Sequence, residues 1–127
     1  MKRVLTAIAD PPLAQQVELL LLRMDAAVAA ARSPTEAEMR LWKGDYDLII
    51  VELPAGAAGA DEAFKVLRLA KGLWPAAATM AIAAAGSADA MERAQELRVS
   101  HYFEAPLPAP FVREALLELG FKARDGA

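Results

Sequence analysis

Tyr46-Asp47-Leu48-Ile49-Ile50-Val51-Glu52-Leu53-Pro54 is an apolar run that ends on a carboxylate and then breaks into the small-residue stretch Ala55-Gly56-Ala57-Ala58-Gly59-Ala60. A run without polar alternation is buried on both faces, which is how a central strand of a parallel sheet reads. Ligands in open parallel sheets sit just past the carboxyl ends of the strands. Glu52 therefore stands where function is expected.

Outward from this run, short apolar segments alternate with helical ones, the pattern of a parallel sheet with helices on both faces. Residues 3–9 read as the first strand. Asp10-Pro11-Pro12 then supplies an acidic N-cap with proline in the first turn, and Leu13, Val17, Leu20 and Leu21 share one face of the helix that follows. A second strand at 26–31 precedes Ser33-Pro34-Thr35-Glu36, which has the capping-box spacing with proline at the first helical position. That helix should end at Gly44. Beyond the strand at 47–53, a helix is expected at 61–71 with Gly72 as its stop, then a strand at 79–84, a helix at 87–98, a strand at 101–104, and a last helix at 109–119 stopped by Gly120. The body of the domain spans 1–120, and 121–127 reads as a tail or the start of a linker. Alanine clusters at 26–31, 55–60 and 76–85 blur the choice between helix and strand, because alanine favours helix yet fits a crowded sheet.

The chain has 127 residues and is 56% hydrophobic, enough for one domain around one core. No stretch approaches the apolar length of a membrane span, and the amino terminus lacks a signal-peptide pattern, so a cytoplasmic protein without membrane attachment is expected. Cysteine is absent and His101 is the single histidine, so thiolate chemistry and multi-histidine metal sites are excluded. A net charge of -3 argues against a nucleic-acid surface, which needs clustered Lys and Arg. Phosphate-cradling glycine motifs do not occur.

The order and spacing of the units resembles the receiver domain of two-component response regulators across nearly the whole chain. The resemblance rests on Tyr46 to Glu52, on Gly59 in the loop after it, and on His101-Tyr102-Phe103-Glu104-Ala105-Pro106. It implies a three-layer, flavodoxin-like (CheY-like) α/β sandwich with a five-stranded parallel sheet. In that family an aspartate at the end of the third strand accepts a phosphoryl group, an acidic pair after the first strand holds Mg²⁺, and a Ser/Thr and a Lys contact the phosphate. Here Glu52 falls at the acceptor, Ile8 and Ala9 at the acidic pair, Ala83 at the Ser/Thr, and Ala105, before Pro106, at the lysine. Asp10 alone remains of the acidic cluster. Without metal ligands and the lysine, most of what phosphoryl transfer uses is gone.

The expectation is therefore a degenerate, non-enzymatic receiver without metal or cofactor, acting through protein contacts. Two alternatives stand beside it: a receiver still phosphorylated on Glu52 or Asp10, and a small-ligand sensor using the emptied pocket. Glu52 itself reads either as an imitation of a phosphorylated aspartate or, preferably, as a solvated strand-end carboxylate near helix N-termini. Tyr102 stands at the family's switch aromatic, and is expected half-buried with its hydroxyl in water. Trp42 and Trp74, near helix ends, read as the edge of the core. The last two helices and the strand between them form the face that receivers commonly use for pairing. Arg93, Glu96, Glu104, Arg113 and Glu114 would supply its mixed-charge rim, for a protein partner or a second copy.

Overall fold

The run that begins at Leu48 is a central strand: Leu48, Ile49, Ile50 and Val51 are all buried, from both sides. The computed structural model describes residues 1–84 and 88–124. Along them strand and helix alternate strictly: β1 (Lys2–Ala7), α1 (Pro11–Leu22), β2 (Ala26–Ala31), α2 (Pro34–Lys43), β3 (Leu48–Leu53), α3 (Ala57–Leu73), β4 (Ala78–Ala83), α4 (Ala88–Glu96), β5 (His101–Glu104) and α5 (Ala109–Glu118). The strands form one five-stranded sheet of order β2-β1-β3-β4-β5, parallel at every pairing. This is the flavodoxin-like sandwich that the resemblance to receiver domains implies. No helix among the described residues is long and apolar enough to cross a membrane.

Alternation along each strand feeds two separate cores. Val4, Leu48, Ile50, Met80 and Ile82 point to the layer of α1 and α5, where Leu13, Val17, Leu21, Val112 and Leu116 meet them. Leu5, Ile49, Val51, Ala81 and Ala83 point to the layer of α2, α3 and α4, against Leu41, Phe64, Leu67 and Ala94. Each large side chain so buried contributes about 1.5–3 kcal/mol.

Local start signals act as the sequence predicts. Asp10 Oδ2 accepts the Leu13 N–H at 3.1 Å and Ser33 Oγ accepts the Glu36 N–H at 3.1 Å, so each side chain satisfies an amide that its helix leaves unpaired. Glu36 reaches back to the Arg32 N–H rather than to that of Ser33.

Four expectations are corrected. β1 ends at Ala7, leaving Ile8 and Ala9 in the turn. Gly59 lies inside α3 and not in a loop, because the helix already begins at Ala57; Gly56, with φ 98°, makes the turn that only glycine adopts without strain. Gly72 does not stop that helix. It runs on to Leu73, and Trp74 at its C-cap is held by its Nε1–H donating to the Leu41 carbonyl at 2.9 Å, a tertiary tie that outweighs the roughly 1 kcal/mol cost of an internal glycine. Trp42, expected at the edge of the core, is 66% exposed on the outer side of α2. Ser87, expected to open α4, lies outside the described residues.

The chain after Gly120 continues against the body. Phe121 is buried, the Asp25 N–H donates to the Lys122 carbonyl at 2.8 Å, and Arg124 Nε donates to the Met24 carbonyl at 2.8 Å.

After α4, Arg98 takes φ 55°, the left-handed conformation that suits glycine, while the Val99 N–H donates to the Ala94 carbonyl at 3.2 Å to close the helix. Arg98→Gly should raise stability by about 0.5–1 kcal/mol, read as a higher midpoint in a denaturant titration with an unchanged slope.

Candidate functional site

The carboxyl ends of β1, β3, β4 and β5 open together at one end of the sheet. Their side chains enclose a cleft of about 430 Å³ whose lining includes Asp10, Glu52, Ala83, Ala105 and Pro106. These residues, far apart in the chain, are thus brought together as the register of parallel strands requires. Ile8 is not among them: its side chain is buried in the α1 and α5 layer. Ala9 lines a neighbouring cavity of about 140 Å³, walled by Ser33, Pro34, Gly59 and Glu62, and Glu52 stands between the two spaces. The Ala105–Pro106 peptide is cis.

Glu52 is half-buried and engaged. Its Oε1 accepts the Ala9 N–H at 2.9 Å and the Asp10 N–H at 3.2 Å, joining the end of β3 to the turn that opens α1. The expectation of a merely solvated carboxylate is corrected accordingly. The reason is reach: glutamate carries one methylene more than aspartate, and Ile8, drawn into the core, fixes the turn with its next two amides facing that carboxylate. Asp10 is occupied as well, since its Oδ2 caps α1 through the Leu13 N–H. Among the described residues no group of three or more His, Cys, Asp and Glu converges as a ligand set. Gln16, one helical turn beyond Leu13, is a further polar side chain in the cleft wall. Its i+3 spacing from Leu13 was the available signal, and nothing in residue type alone marks it.

Tyr102 departs from expectation. Its hydroxyl is buried instead of reaching water, and it makes no hydrogen bond of good geometry although the Glu104 carboxylate lies close by. The ring packs with the α2, α3 and α4 layer, where Ala81 faces it in the β4–β5 register and Ala83, Ala90 and Ala94 keep side-chain volume small. Burial holds the phenol above its ordinary value of 10.0, and the Glu104 charge adds to the effect.

On the α4, β5 and α5 face, Glu96, Arg113 and Glu114 are exposed, Glu104 is half-buried, and Met91, Phe111 and Leu117 are exposed large apolar side chains. Arg93 belongs elsewhere. Its guanidinium sits 4.0 Å from the Phe64 ring centroid and 2.9 Å from Asp61, so it fastens α4 to α3.

Glu52→Ala should cost about 1 kcal/mol, because water replaces a charge-assisted acceptor at two amides; Glu52→Gln keeps an acceptor and should cost less than about 0.5 kcal/mol. Chemical denaturation of both variants checks the order. Tyr102→Phe removes an unpaired buried hydroxyl and should raise stability by up to about 1 kcal/mol. Because folding raises the Tyr102 pKa, the native state holds that proton more tightly than the unfolded chain. Its contribution to stability is therefore full below the ordinary value of 10.0 and is lost as pH rises from there through the native value. Melts of wild type and the Phe variant at alkaline pH should show a larger loss in wild type, the difference reporting Tyr102.

Neither a family model nor a curated protein matches the sequence. Solved structures do match in shape. A response regulator from Thermotoga maritima superposes with TM-score 0.80 at 16% identity, over 94% of this chain and 97% of that one. A CheY-like response regulator receiver domain protein from Methanospirillum hungatei gives TM-score 0.80 at 17% identity, over 94% of each chain. A response regulator protein from Burkholderia pseudomallei, bearing a phosphorylated aspartic acid and a calcium ion, gives TM-score 0.75 at 20% identity, over 91% of this chain and 66% of that one. What these likenesses establish is the fold, that of response regulator receiver domains.

Proposed function

We propose that the chain is a receiver-like signalling module that works by binding a protein partner or a second copy of itself, without a phosphoryl cycle. The observation that carries this reading is the closure of Glu52 onto the Ala9 and Asp10 amides. Phosphoryl transfer rests on positioning and on neutralising charge with a metal and cationic donors. Here the turn after β1 presents N–H donors to Glu52, Ile8 faces the core, and Ala83 and Ala105 bring no hydroxyl or ammonium to the cleft. Mg²⁺ does not fit this set, since it needs several oxygen ligands and Glu52 and Asp10 are the only carboxylates in the lining of the cleft among the described residues. The phosphorylated aspartic acid and calcium ion of the Burkholderia pseudomallei neighbour thus have no counterpart chemistry in these side chains.

For the contact surface the reading favours α4, β5 and α5, where exposed Met91, Phe111 and Leu117 offer apolar contact within a charged rim. A second reading, a small-ligand sensor, is favoured by the size of the cleft, about 430 Å³, which falls in the usual range for ligand pockets. Thermal shift against a library of small metabolites distinguishes it, because a ligand of the native state raises the melting temperature.

Incubation with acetyl phosphate and Mg²⁺ should leave the intact mass unchanged. A phosphoryl group mapped to Glu52 or Asp10 would refute the proposal. Charge reversal at Arg113 should weaken partner capture more than reversal at Arg40 on α2, in the opposite helix layer, if rim charge steers the encounter; equal effects would remove the face from the proposal. Arg93 is unsuitable for that comparison because its loss would also loosen α4 from α3.

A further inference from the structure

The sheet ends at β2, and β2 lacks the devices that keep an edge strand from pairing. Its six residues, Ala26-Ala27-Val28-Ala29-Ala30-Ala31, include no charge and no proline. The other edge, β5, is shorter and carries His101 and Glu104. Ala27 and Val28 are exposed, Val28 by 40%. The direction of the backbone groups is also fixed. The Lys2 N–H donates to the Asp25 carbonyl at 3.4 Å and the Ile8 N–H to the Ala31 carbonyl at 3.2 Å, so the odd-numbered residues face β1. Val28 and Ala30 consequently turn their N–H and C=O groups away from the sheet, and Ala26 its C=O, while the Ala26 N–H donates to the Met24 carbonyl at 3.0 Å.

Charge at the two ends of this edge selects an occupant. Asp25 precedes the strand and Arg32 follows it. α2 runs back along the strand, with Glu36 at the carboxyl end, where the Arg32 N–H donates to its Oε2, and Lys43 in its last turn at the opposite end. Arg32 touches Glu18 at 3.3 Å, yet its side chain remains 54% exposed. An antiparallel two-fold pairing of β2 with itself matches the outward groups, Val28 to the partner's Val28 and the Ala26 carbonyl to the N–H of the partner's Ala30. The same operation carries the Arg32 end of each copy to the Asp25 end of the other, and Glu36 towards the partner's Lys43. A parallel arrangement would set like charges side by side.

We propose that a second copy of this chain docks on β2, extending the sheet through an isologous antiparallel edge. This interface is independent of the α4, β5 and α5 face. Sedimentation equilibrium over a range of concentrations should show a reversible dimer, and in hydrogen exchange the Val28 and Ala30 amides should gain protection as concentration rises. Val28→Lys sets two like charges opposite each other across the two-fold and Ala30→Pro removes an outward N–H, and each should raise the dimer dissociation constant on the order of tenfold or more, with the circular dichroism of the fold retained. A monomer at every accessible concentration overturns the proposal. So does a dimer that ignores both variants. If either variant unfolds, exchange at Val28 and Ala30 in the wild-type chain decides by itself: fast exchange in the dimer overturns the proposal and protection sustains it.

Discussion

Burial of β3 on both faces is the constraint on which the rest of the molecule depends. Leu48 and Ile50 enter one layer while Ile49 and Val51 enter the other, so neither side of the strand can carry a polar group without leaving it unpaired. Helices must then cover both faces, and connections between parallel strands must cross over them. Chemistry is pushed to the strand ends. Glu52 follows as the point where the central strand first meets polar surroundings.

At that end the side chains are small, and their size has consequences. Ala83 and Ala105 leave a cleft where longer residues would fill or cross it. Ala81, Ala83, Ala90 and Ala94 lower the volume above β4 and β5, and the Tyr102 ring takes the space, accepting an unpaired hydroxyl in exchange for apolar contact. Glu52, with acceptors to spare and no cation at hand, turns to the nearest donors, the amides of Ala9 and Asp10. One cause, the shortness of the side chains around the strand ends, accounts for all three arrangements.

The layers are stitched by ties that link residues distant in the chain. Arg93 lies over Phe64 and pairs with Asp61, Trp74 donates to Leu41, and Asp47 Oδ2 accepts the Arg3 N–H at 2.8 Å. Their strength is modest singly, since most of these groups keep some contact with water. Their effect is on geometry: they set where α3 ends, how α4 leans, and how β3 enters the sheet.

What the sequence determined by itself is local and periodic. The two capped helix starts at Asp10 and Ser33, the strands Ala26–Ala31 and His101–Glu104, and the parallel sheet follow from capping chemistry and from the apolar period, which involve neighbours a few residues apart. The gathering of Asp10, Glu52, Ala83, Ala105 and Pro106 at one end is what the resemblance to receiver domains implied. Tertiary structure decided the remainder. The continuation of α3 through Gly72 depends on Trp74 finding Leu41, the withdrawal of Arg93 on Phe64, the burial of the Tyr102 hydroxyl on the alanines of β4 and α4, and the grip of Glu52 on the fixing of Ile8 in the core. Each is a contact between residues whose separation in sequence carries no signal, and each prevails because packing energy summed over many atoms exceeds the propensity of any one residue.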